Sequence, residues 1–343
     1  MGQLFNGAAP LIPVSERDAL KKAIYKLDAR RKGRLKSLKS AWPKFNDAFC
    51  DGLEWRTITV VGARPGTGKT LFMEQLIDDI IKNNQDQEFR MLKFQFEMLD
   101  ETNGIRKLSL NTGYDYNTLM SKAEPLDDAV FNKCVELYQK SKDRDVIDVI
   151  YDPCTVDVMC ATIHQHMEDH AKMVKDKDGK LVKKYTNMLV TIDHSALFKV
   201  AKGQEKDKFE MLYALGEALT YMKKHYPVAF VVLSQLNRNI DNPDRARDGE
   251  YGNYVLDSDL FGADALLQHA DVVLGINKPS IRKIRQYGPE KFIIDDDDIL
   301  VFHFLKSRNG LTKMSFFKLD RAAMRIVEID PPAQATNTLS TKK

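Results

Sequence analysis

Residues 62 to 70 run Gly62-Ala63-Arg64-Pro65-Gly66-Thr67-Gly68-Lys69-Thr70. A glycine, four residues, then Gly-Lys-Thr is the pattern of a phosphate-binding loop. Glycines let backbone N–H groups turn inward onto phosphate oxygens. In such a loop Lys69 reaches the β and γ phosphates, and the Thr70 hydroxyl can ligate Mg²⁺. The flanks agree with the motif. Thr57-Ile58-Thr59-Val60-Val61 is β-branched and apolar, as a buried strand is. Leu71 to Lys82 has helical apolar spacing. The loop therefore joins a strand to a helix, whose N-terminal dipole adds to anion binding.

A chain of 343 residues is long enough for one large domain or two ordinary ones. A net charge of +3 is no polycation, so any nucleic-acid contact must come from local basic clusters. Cys50, Cys134, Cys154 and Cys160 form no CxxC pair, which argues against a zinc site or a disulfide frame. No apolar run reaches the length of a membrane span, and Met1 to Pro13 lacks the pattern of a signal peptide. A cytoplasmic protein without membrane contact is expected.

Strand patterns fall at 57–61, 89–96, 146–151, 187–192, 228–233 and 271–276, with helical patterns at 71–82, 102–110, 127–140, 155–171 and 206–225 between them. This alternation predicts an α/β fold: a mostly parallel sheet with helices on both faces. Apolar runs at 299–305, 314–318 and 324–327 predict C-terminal antiparallel hairpins at one edge. Ser15 to Gly33 is expected as a helix, capped by Ser15 with Asp18 at the third position. Its basic end suits either a solvated surface or docking on a neighbouring subunit. Lys172 to Lys184 is a charged insertion, expected as an exposed turn or hairpin. Asp295 to Asp298 suits a solvated turn that blocks strand pairing better than a metal site. The expected division is an arm and helix over 1–34, one domain over 35–330, and a disordered tail over 331–343.

Hydrolysis of a nucleotide needs a Mg²⁺-organising carboxylate, a base for water and a γ-phosphate sensor. Asp193 follows the apolar run Met188 to Ile192, Glu97 follows Met91 to Phe96, and Gln235 ends Val231 to Ser234. Polar residues at the carboxyl ends of buried strands face the crevice where such sheets bind ligands. Asp193 can hold a water on Mg²⁺, Glu97 can polarise the attacking water, and Gln235 can bond the γ-phosphate. Lys306 and Arg308 stand two residues apart before Gly310, which puts both cations on one face of a strand. They suit phosphate charge on an adjacent subunit, or exposed edge-strand positions.

Six blocks in order closely resemble the ATPase domain of DnaB-type replicative helicases. They are Ala63 to Thr70, Phe96-Glu97-Met98, Ile192-Asp193, Leu233 to Arg238, Ser258-Asp259-Leu260 with Ala270 to Val273, and Lys306 to Gly310. The resemblance spans about Gly33 to Val327. It implies a RecA-like P-loop NTPase core that binds ATP and Mg²⁺. It also implies a homo-hexameric ring with ATP sites between subunits, moving on single-stranded DNA, typically 5′ to 3′. By motif, Arg64, Pro65, Gly66, Thr67, Gly68, Lys69 and Thr70 bind ATP, and Thr70 and Asp193 serve the metal. Glu97 becomes the catalytic base, Gln235 the sensor, and Lys306 and Arg308 trans-acting fingers. The Ser15 to Gly33 helix matches the family's linker helix, which docks on the next subunit.

The family's N-terminal helical domain, which contacts primase, has no counterpart in the roughly 30 residues before the resemblance, so coupling to primase or a loader is open. His194 stands where the family usually has Tyr, and Phe261-Gly262-Ala263-Asp264 replaces Arg-Glu-Ser-Gly. DNA contacts are expected from Arg238, Arg245 and Arg247 in the polar loop after Gln235, or from Lys199 and Lys202. Asp241, Asp244, Asp248 and Glu250 balance that loop, so an uncommitted surface loop is the alternative. A second function also fits the motifs: a RecA-like ATPase that forms DNA-binding filaments or loads another protein without unwinding. A small-molecule kinase ranks last, because it needs neither the Ser-Gln-Leu-Asn block nor the C-terminal cation pair.

Overall fold

The computed structural model describes residues 13–49, 51–96, 99–176, 178–193, 198–199, 208–245, 253–260, 263–320 and 324–335. The chain divides into two compact units, Met1–Ser37 and Leu38–Lys343. In the first, α1 (Glu16–Arg31) starts at Ser15, whose Oγ accepts from the Asp18 amide. Leu20, Ile24 and Leu27 lie exposed along it. Asp28 gathers Arg31, Lys32 and Arg34, which hold its carboxyl below the usual range.

The second unit opens with α2 (Pro43–Ala48), then β1 (Ile58–Ala63), α3 (Lys69–Asn83) and β2 (Phe89–Gln95). Next come α4 (Asp100–Thr112), α5 (Tyr116–Leu119), α6 (Asp128–Lys140), β3 (Ile147–Ile150) and α7 (Val156–Asp169). The short strands β4 (Lys172–Lys175) and β5 (Leu181–Lys184) form the hairpin expected of the charged insertion. After them run β6 (Asn187–Asp193), α8 (Lys208–His225), β7 (Val228–Gln235), α9 (Ala263–His269) and β8 (Val272–Asn277). The chain continues through β9 (Gln286–Tyr287), β10 (Phe292–Ile293), β11 (Ile299–Ser307), β12 (Met314–Asp320) and β13 (Arg325–Ile329).

Nine strands make one sheet in the order β13-β12-β11-β8-β1-β7-β6-β2-β3. Pairings from β3 to β8 are parallel, and those from β8 to β13 are antiparallel. β1 occupies the middle, and all six of its residues are buried. Strand alternation sends side chains to opposite faces. Ile58, Val60, Leu92, Phe94, Val190, Ile192, Phe230 and Val232 join α7, α8 and α9 in one core layer. On the other face α2 and α3 pack through aromatic rings: Trp42 stacks on Phe72 and meets Phe45, Phe302 and Phe317 edge-on.

Four short features lie outside the predicted patterns. One is α2, whose six residues carry too little periodicity to signal a helix. The others are α5, α9 and the β9–β10 pair. The tail is attached further than expected: Ala333 accepts from the Ile293 amide, and the Ala335 amide donates to Lys291. Among the described residues no helix is long and apolar enough to cross a membrane.

Candidate functional site

The loop after β1 has the backbone a phosphate cradle needs. Gly66 and Gly68 sit at φ +80° and +88°, the left-handed region that side chains disfavour. Gly68 caps α3, so Lys69 and Thr70 open a helix of 15 residues with its free N–H groups toward the loop. Thr67 is buried and closes the turn, its Oγ1 donating to the Arg64 carbonyl at 2.8 Å.

Gly62 has a different job from the one its place in the motif suggests. It lies inside β1, paired with Ser234 on one side and Gly275 on the other. A Cβ there would stand 2.9 Å from Cδ2 of both Leu236 and Leu260. Close packing beneath the loop, not a turn onto phosphate, demands this glycine. Arg64 also differs. It was expected among the phosphate ligands, but it donates to the Leu236 carbonyl at 3.1 Å and pairs with Asp241 at 2.6 Å. It thereby ties the loop to the segment after β7. The partners are 172 and 177 residues away in sequence, so no local signal announces them.

Asp193 ends β6 and Gln235 ends β7, with β7 directly beside β1. Their alternation is opposite to that of Ile192 and Val232, which face α8. Both side chains therefore point to the α3 face, the side on which Lys69 and Thr70 stand. Asp193 is only 8% exposed. A buried carboxylate two strands from the loop, about 10 Å across the sheet, and a threonine hydroxyl supply the hard oxygen donors that Mg²⁺ takes. The residues present fit that ion. Glu97 lies outside the described residues; β2, the strand before it, is next to β6.

Lys306 and Arg308 come together at the other end of the sheet. Because β11 is antiparallel to β8, its last residue, Ser307, pairs with Val272 at the start of β8. Lys306 Nζ donates to the Leu267 carbonyl, and Arg308 Nη2 donates to the Gln268 carbonyl at 3.2 Å. Both cations thus cap the negative end of α9. Arg308 also pairs with Asp271, whose carboxylate accepts from the Ile58 amide at 2.8 Å. Ile58 begins β1 and the phosphate loop follows its end, so six residues of strand lie between, about 20 Å. β11 runs between β8 and β12, so these are not edge-strand charges.

The DNA-contact candidates separate. Arg238 and Lys199 are exposed. Arg245 is engaged inside the subunit: Nη1 and Nη2 meet the two carboxylate oxygens of Asp259 at 2.6 and 2.8 Å, and Nη2 also donates to the Tyr254 carbonyl. Arg247 and Lys202 lie outside the described residues. In the Asp295–Asp298 run, Asp296, Asp297 and Asp298 pair with Lys318, Arg285 and Lys278, which makes it an ion-paired turn.

The family model for the DnaB-like helicase C terminal domain matches residues 38–328. The replicative DNA helicase DnaB of Mycoplasma pneumoniae is 25% identical over 307 residues, covering 87% of this chain and 58% of the relative. That of Helicobacter pylori is 22% identical over 239 residues, covering 70% of this chain and 43% of the relative. The chain therefore spans about half the length of the curated relatives it matches. Among solved structures, one ATPase domain superposes with a TM-score of 0.70 at 16% identity, covering 93% of this chain and 100% of that one. A DnaB-like replicative helicase, solved in a study of its interactions with primase, gives 0.69 at 16%, covering 93% of this chain and 68% of that one. At that identity the likeness establishes the fold, a RecA-like core with an antiparallel C-terminal edge. With the family model spanning nearly the whole second unit, the chain belongs to the DnaB-like helicase C-terminal domain family.

Proposed function

We propose that this chain is the motor of a ring-shaped DNA helicase in replication, hydrolysing ATP at sites shared between neighbouring subunits. The observation that carries the reading is the separation of Lys306 and Arg308 from their own phosphate loop. Arg308, tied through Asp271 to the start of β1 about 20 Å from the loop, and Lys306, turned to the Leu267 carbonyl at the end of α9, are aimed away from a γ-phosphate bound in the same subunit. In a closed ring each subunit offers them to the next.

Within one site, Lys69 and the loop amides hold the phosphates, and Thr70 and Asp193 would hold Mg²⁺, which would supply positive charge to offset that of the phosphates. Glu97 takes the proton of the attacking water, and Gln235 bonds the γ-phosphate and passes its loss to the segment after β7. The neighbour's Lys306 and Arg308 offset charge that grows on the transferred group. Residues 1–34 form an arm whose α1 docks by Leu20, Ile24 and Leu27 on the adjacent subunit. Residues 35–330 form the ATPase domain. Arg238 and Lys199 contact single-stranded DNA in the channel, with movement 5′ to 3′. Primase is a partner by analogy with the DnaB-like replicative helicase of solved structure.

The test measures ATPase rate with and without single-stranded DNA, alongside mass in solution with ATP and Mg²⁺. The expected result is a six-subunit species with strong DNA stimulation, followed by unwinding of a forked duplex. A monomer whose ATPase ignores DNA would sink the motor reading.

A further inference from the structure

The far edge of the sheet carries a cluster that the ATP site does not use. His166 and His170 are four residues apart at the end of α7, so they share one face of the helix. Their rings stack at 4.4 Å with 20° between planes. Asp148, on the edge strand β3, meets them from the sheet: His166 Nε2 donates to its Oδ2 at 2.8 Å. One ligand atom from each of Asp148, His166 and His170 falls within a span of 4.8 Å.

Details of protonation suit a ligand set. His170 Nδ1 donates to the His166 carbonyl at 2.9 Å, which leaves its Nε2 as the lone-pair nitrogen. Metal-bound histidines are oriented by this kind of bond from the other ring nitrogen. His166 Nδ1 is buried with no hydrogen-bond partner among the described residues, so only the proton shared with Asp148 decides that ring's tautomer. Arg90 uses the same Oδ2 of Asp148, at 2.8 Å, and leaves Oδ1 of this half-exposed carboxylate for another ligand.

We propose that Asp148, His166 and His170 form a binding site for a divalent transition-metal ion of the zinc class. Two imidazoles and one carboxylate suit a borderline ion and not Mg²⁺ or Ca²⁺, which take oxygen donors. Three protein ligands leave a fourth position for water. The ion takes the place of the proton between His166 Nε2 and Asp148, and that proton moves to Nδ1, so the ring binds as the other neutral tautomer. The site lies four strands from β1 in the sheet order, about 19 Å across, so it is separate from the nucleotide. Its role is to clamp β3 to the end of α7 where the β4–β5 hairpin departs. Thr186, just after that hairpin, already donates to the His170 carbonyl at 2.8 Å.

The experiment uses the full chain, stripped with chelator and free of nucleotide, titrated with zinc chloride by calorimetry. One zinc per chain is expected. His170→Ala should bind at least tenfold more weakly, and His225→Ala, an exposed histidine on another helix, should bind as wild type does. Absence of saturable binding in wild type, or equal binding by His170→Ala, overturns the proposal. Should His170→Ala not fold, wild type with one equivalent of cobalt(II) decides. A visible band of four-coordinate nitrogen and oxygen ligation supports the site. No band, or a thiolate charge-transfer band that marks cysteine ligands, overturns it. Neither result bears on the ATP site.

Discussion

Replacing Arg245 by Met separates two roles for that residue: a contact to DNA, or a brace inside the subunit. Asp259 is 1% exposed, and among the described residues three donors reach its carboxylate: both Arg245 nitrogens and the Leu256 amide at 2.9 Å. Arg245→Met removes two of the three and leaves a buried carboxylate with one amide. Breaking a buried pair in this way costs about 3–5 kcal/mol. That is roughly a 150- to 5,000-fold change in the folding equilibrium. The perturbation also reaches Leu236 and Leu260, the side chains packed under Gly62, because Asp259 holds the backbone before Leu260 and its carbonyl accepts from the Asn237 amide. Urea unfolding followed by circular dichroism measures the loss. The double variant Arg245→Met with Asp259→Asn removes the stranded charge, so it should recover at least half of it. A loss below about 1 kcal/mol for the single variant would refute the brace. A fall in single-stranded DNA affinity, with a shallower salt dependence and unchanged stability, would instead return Arg245 to the DNA contacts.

Other perturbations follow from the same geometry. Gly62→Ala should destabilise the chain by about 1–3 kcal/mol through overpacking against Leu236 and Leu260; thermal unfolding checks this, and an unchanged midpoint would contradict it. Arg308→Ala and Lys69→Ala should each abolish ATPase in the assembled protein. Mixing the two should restore part of the rate, since some interfaces then pair an intact loop with intact cations; no recovery on mixing would place both residues in one subunit's site. His303 is buried against Tyr287, and burial first, then the charge of Arg282, pushes its pKa down to about 3. The unfolded chain binds that proton near pH 6.5, so this stability is complete above about pH 6.5 and falls as pH drops toward 3. The slope is roughly 1.4 kcal/mol per pH unit, and His303→Gln should lose it in urea titrations at about pH 7, 6 and 5.

What the amino-acid sequence determined by itself is local. A β-branched run, two glycines and a Lys-Thr pair are enough to produce β1, the loop and the start of α3, because backbone sterics and helix capping act over a few residues. Apolar runs marked the strands for the same reason, and the order of motif blocks carried the family. Short elements such as α2 and α9 escaped, since their helical state rests on partners: Phe45 in a ring cluster, Leu266 in the core beneath α8.

Tertiary structure decided the rest. Sheet order puts Asp193 and Gln235 on the α3 face beside the loop. The reversal of β11 carries Lys306 and Arg308 to the opposite end of the strands, where they cap α9. Tertiary packing also turns Arg64 toward Asp241, which in the sequence only balances the charge of its loop, and Arg245 toward Asp259, which the sequence marks only as part of a motif block. Those outcomes depend on pairings between residues far apart in the chain. Long-range contacts of that kind are selected by the burial of the whole core, so no short window of sequence contains them.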